Sequence, residues 1–75
     1  MISFIKGKNI EISPTKLIVD VNGVGYEILI SLRTYSKIKN IDKVNIFTHL
    51  NVKEDSHTLY GFYNKKERKT FYEYR

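Results

Sequence analysis

Lys53, Glu54 and Asp55 stand in a row, followed by Ser56 and His57. Neighbouring carboxylates can exchange protons, hold a cation or repel another anion. Catalysis needs a partner group at a matching spacing, and none is evident. His49 and His57 lie eight residues apart, with Glu54 and Asp55 the nearest acids. A zinc site needs three or four converging ligands, which this spacing does not supply. Ser13, Ser31, Ser36 and Ser56 sit in no nucleophile elbow. Asn22-Gly23-Val24-Gly25 is glycine-rich but joins two expected strands, whereas a phosphate cradle opens a helix. No catalytic residue, metal ligand or cofactor is therefore expected. An electrostatic role remains for Glu54 and Asp55. Acids in an exposed turn are usually just solvated. Beside nucleic acid they would repel phosphates, which is useful only if attraction elsewhere holds the nucleic acid in place.

The chain has 75 residues and a formal net charge of +5. Such a length allows one small domain with a thin core. Residues 65–75 carry five basic and two acidic residues, and residues 1–64 carry eight and six. The tail thus holds most of the excess, and the body is too balanced for a strong sequence-independent grip on DNA. Cys is absent, so neither disulfides nor thiolate-bound zinc can staple the fold. No apolar run approaches the roughly 20 residues of a membrane helix, and the first residues lack a signal-peptide pattern. A cytoplasmic protein is expected.

Several elements must position the acids. Ile2, Phe4, Ile10 and Ile12 share one parity, with Gly7 between the pairs, which predicts one long strand bent at the glycine. Leu17, Val19 and Val21 alternate in a second strand, and Tyr26, Ile28 and Ile30 in a third. Asn22-Gly23 between them predicts a type I′ hairpin. Leu32, Tyr35 and Ile38, spaced by three after a capping Ser31, predict a helix over 32–38. Val44, Ile46, Thr48 and Leu50 predict a fourth strand, 51–57 a polar break, and 58–63 a fifth strand. Tyr26 and Phe62 fall where a barrel needs filling. With Tyr60 and Tyr63 they are also the rings that could stack bases. Asn64 and Glu67 form a capping box for a helix from Lys65 to Arg75, too short to stand alone. Nothing in the sequence would bury its Phe71 and Tyr74. The expected division is 1–64 as one domain and 65–75 as the first helix of another. Five strands with a helix between the third and fourth define an all-β OB-fold barrel. The rival SH3-like barrel lacks that helix.

Four blocks carry a resemblance. They are Met1-Ile2 with Phe4-Ile5-Lys6-Gly7-Lys8, Val19 through Glu27, Phe47-Thr48-His49-Leu50 with Val52-Lys53-Glu54-Asp55, and Leu59-Tyr60-Gly61-Phe62. Together they resemble the N-terminal domain of the RuvA family, Holliday junction–binding subunits of the bacterial branch-migration complex. The resemblance implies an OB barrel, a homotetramer (paired into an octamer at full length), and Glu54 and Asp55 as an acidic pin near the centre of a four-way DNA junction. It places Lys53 against a crossover phosphate. It implies helix-hairpin-helix motifs in a second domain, a hexameric ATPase partner, RuvB, contacted through a third domain, and the resolvase RuvC as a further partner. His57, next to the pin, would add positive charge there in mildly acidic conditions. The alternatives are a stand-alone OB module binding single-stranded nucleic acid and a purely structural oligomerisation domain.

Overall fold

The structure, a computed structural model, describes residues 2–73, with side chains through Phe71. It contains β1 (Phe4–Ile12), β2 (Lys16–Val21), β3 (Val24–Ile30), α1 (Leu32–Ile38), β4 (Lys43–Lys53), β5 (Ser56–Phe62) and α2 (Lys65–Glu73). The strands close into a barrel in the order β1-β2-β3-β5-β4. β3 and β5 pair in parallel and every other pairing is antiparallel. This is the OB arrangement that the pattern of strands and helix predicts.

Local chemistry sets most boundaries. Asn22 and Gly23 have φ of 51° and 89°, as a type I′ turn requires. The Gly23 amide also donates to Asp20 Oδ1 at 2.8 Å. Ser31 caps α1 by accepting from the Thr34 amide at 3.2 Å. One side of the helix then closes the barrel end, burying Ile38 and Thr34, while Leu32 faces outward.

The core consists of Ile5, Leu17, Val19, Ile28, Ile30, Ile38, Val44 and Ile46. Of the apolar parity read in β1, Phe4 and Ile10 face outward while Ile2 and Ile12 pack against the core, and Ile5, of the other parity, points inward. The irregularity in β1 lies between Asn9 and Glu11, not at Gly7. Gly7 is needed for a different reason. A Cβ there would collide with the Asp20 carbonyl oxygen and crowd Val19 and Val21, so the two strands approach too closely for a side chain.

Gly61 plays the same part on β5. Its absent Cβ would lie 2.6 Å from Ile28 Cγ2 and 2.8 Å from Ile46 Cγ2. Core methyl groups fill that space, and both belong to strands that flank β5. Gly61→Ala should overpack the barrel and cost about 1–3 kcal/mol. In thermal unfolding of this chain the midpoint should fall by several degrees, and an unchanged midpoint would contradict the packing described.

Candidate nucleic-acid interface: a projecting acidic hairpin

β4 and β5 are longer than the polar segment 51–57 suggests. They pair from Phe47↔Phe62 through to Lys53↔Ser56, and the expected break shrinks to a two-residue turn, Glu54-Asp55. β1 pairs β4 only over residues 43–47, and β3 pairs β5 only over 59–61. From Asn51 to Thr58 the two strands therefore hydrogen-bond as a ribbon flanked by no other strand. The ribbon projects from the barrel with Glu54 and Asp55 as its outermost residues. Asn22 is the one non-glycine residue with positive φ among those described, so the acidic turn closes with negative φ at both positions.

Lys53, Glu54, Asp55, Ser56 and His57 are all exposed. Among the described residues Lys37–Glu67 is the one ion pair, so neither tip acid is neutralised by a neighbour. The structure brings Lys53 to the base of the turn opposite Ser56, and His57 one pair further down opposite Val52. Two like charges on adjacent residues, neither in an ion pair, form a concentrated negative point at the end of a thin stem. No cluster of three or more His, Asp or Glu side chains that could hold a metal occurs among the described residues.

A second feature escapes sequence reasoning. The outward sides of β1, β4 and β5 carry a row of rings, Phe4↔Phe47↔Phe62, with His49↔Tyr60 beside it. α2 lies across this surface. Phe71 sits with ring centroids 5.1 Å from Phe62, 5.5 Å from Tyr60 and 5.6 Å from His49. Phe71 is thus packed, against the expectation that nothing would bury it, while Tyr74 lies outside the described residues. Phe62 is also corrected: Gly61 faces the core, and Phe62 lies on the outer side under α2.

Cations and caps fix α2 further. Arg68 Nη1 donates to the Ser3 carbonyl at 2.9 Å, and its guanidinium lies over the Phe47 ring at 5.6 Å. The Glu67 amide donates to Asn64 Oδ1 at 2.9 Å, as a capping box requires. Glu67 Oε2 accepts from the Tyr63 amide rather than from that of Asn64. Its other oxygen pairs with Lys37 Nζ of α1 at 3.3 Å. The available signal was aromatic residues at outward positions 47, 49, 60 and 62, which need a cover.

Fold and site define a class, an OB-fold barrel that presents a charged, projecting hairpin. Comparisons with known proteins narrow the class. The family model described as RuvA N terminal domain matches residues 1–61. The protein named Holliday junction branch migration complex subunit RuvA from Flavobacterium psychrophilum is 54% identical over 95% of this chain and 37% of its own length. That of Christiangramia forsetii gives the same identity and coverage. That of Francisella tularensis subsp. novicida is 49% identical over 97% of this chain and 34% of its own. The chain belongs to the RuvA family, in the region of its N-terminal domain. It spans about a third of the length of the curated relatives it matches.

Phe71→Ala should release α2 from the aromatic row at a cost of about 1–3 kcal/mol. Amide hydrogen exchange over residues 67–71 should quicken, while Lys69→Ala, at an exposed position, leaves it nearly unchanged. Equal exchange in both variants would show that Phe71 does not hold the helix.

Proposed function

We propose that this chain is the assembly and strand-guiding module of a Holliday junction–binding subunit of a bacterial branch-migration complex, acting in cytoplasmic recombination and DNA repair. The observation that carries the reading is the exposed, unpaired Glu54-Asp55 turn at the end of a ribbon that leaves the barrel. In a homotetramer around a four-way junction, four such turns form a ring of negative charge at the branch point. The ring repels phosphate backbones, keeps continuous duplex out of the centre and parts the strands that pass through. Lys53, at the foot of each turn, meets a crossover phosphate.

The module is non-catalytic in this reading. Strand movement is driven by a hexameric ATPase of the RuvB type, contacted through parts of the subunit beyond these residues. Helix-hairpin-helix motifs there supply the main DNA grip, with α2 as the first element of that second domain. Pairing of tetramers into an octamer and contact with a RuvC-type resolvase belong to the full-length subunit.

The single-strand-binding alternative is weakened by the fate of its rings, since Tyr60 and Phe62 are covered by Phe71. A purely structural domain leaves the shape and charge of the hairpin without a use.

The test is Glu54→Gln with Asp55→Asn in the full-length subunit. Duplex affinity at about 0.1 M salt should rise roughly 3–10-fold and the preference for junctions should shrink. Unchanged or weaker duplex binding would rule out the pin. Lys53→Ala should weaken junction binding and reduce the slope of log K against log salt by about 1.

A further inference from the structure

At the end of the hairpin away from the tip, α1 and α2 border an open groove of about 500 Å³. Arg33 and Lys37 line it from α1, and Lys66 and Glu67 from α2. Glu67 is fully engaged by Lys37 and the Tyr63 amide. Arg33 and Lys66 are exposed and have no ion-pair partner among the described residues. The groove therefore has two uncompensated cations, one on each lip, and its single acid is already neutralised from within. An anion seated between them would meet charge from both helices.

The position says which anion fits. Asp55 in the turn and Phe62 at the far end of β5 are seven residues apart, and at about 3.3 Å per residue they lie roughly 23 Å apart. Duplex DNA rises about 3.4 Å per base pair and carries a phosphate on each strand at every step. An arm leaving a branch point at the tip and following the hairpin reaches the groove after about seven base pairs.

We infer that the α1–α2 groove is a second DNA contact, in which Arg33 and Lys66 hold backbone phosphates of a junction arm about seven base pairs from the branch point. This rests on the junction-binding reading above. The contact is independent of sequence, since only phosphate is met. It also gives α2 a reason to be held on the barrel, because its Lys66 must face Arg33 for one backbone to meet both.

The test is the double variant Arg33→Ala, Lys66→Ala in the full-length subunit, with Lys39→Ala, at the exposed C-cap of α1 outside the groove, as control. Binding is measured by titration against four-way junctions with arms of about 12 and about 4 base pairs over a range of salt. With long arms the double variant should bind about 10-fold more weakly near 0.1 M salt, with a salt slope smaller by about 1–2. With short arms it should match the unmodified subunit, and Lys39→Ala should match it throughout. An unchanged slope on long arms overturns the groove contact, as does an equal loss on short arms, which would indicate a general effect of net charge. Glu54→Gln with Asp55→Asn, assayed alongside, separates this failure from that of the parent reading. If that variant behaves as expected while the groove variant does not, only the groove contact falls. If the unmodified subunit does not prefer junctions, both fall.

Discussion

Barrel closure depends on β5 serving two neighbours in different ways. It pairs with β4 along its whole length but with β3 only over Leu59–Gly61. That short parallel pairing is possible because Gly61 lets the Ile28 and Ile46 methyl groups pass beneath it. The limited overlap matters as much as the closure. β3 pairing ends at Leu59 and β1 pairing of β4 ends at Phe47, so the rest of the hairpin has nowhere to go but outward. The barrel is an anchor, and the ribbon is what the anchor holds out.

The same asymmetry organises the other end. Phe47, His49, Tyr60 and Phe62 occupy outward positions where the hairpin is still part of the barrel. Exposed together they would form an apolar patch, and α2 covers it with Phe71 while Arg68 and Lys65 lie over Phe47. A helix this short owes its stability to that packing, not to its own propensity. Glu67 then links its first turn to α1. The net charge of +5 is therefore not spread evenly: cations gather at the helical end, and two bare acids stand at the other.

Much of this was legible in the sequence because it is written in burial. The alternation in β2 and β3, the Asn22-Gly23 turn and the Ser31-capped helix each leave a local signature, and the order of elements specifies the barrel. The ribbon was not legible. Strand periodicity arises when one face is buried, and residues 51–57 project with little to bury, so they read as a polar break. The misplacing of Phe4 and Ile10 in β1 has a related origin. Phe4 belongs to the outer row with Phe47, and apolar spacing alone cannot say which side of a sheet is the core. The type and adjacency of Glu54 and Asp55 were plain, whereas their isolation at the end of a stem needed the register of β4 with β5.

The central claim is that reach, not charge alone, makes the acid pair effective. The most direct measurement removes Asn51, Val52, His57 and Thr58 in the full-length subunit. This shortens the ribbon by two pairs, about 7 Å, and keeps Lys53-Glu54-Asp55-Ser56 and its facing. Junction and duplex affinities are then compared with those of the unmodified subunit. The account predicts that the preference for junctions falls to the level of the variant with both acids neutralised. A preference that survives the shortening at full strength would contradict it.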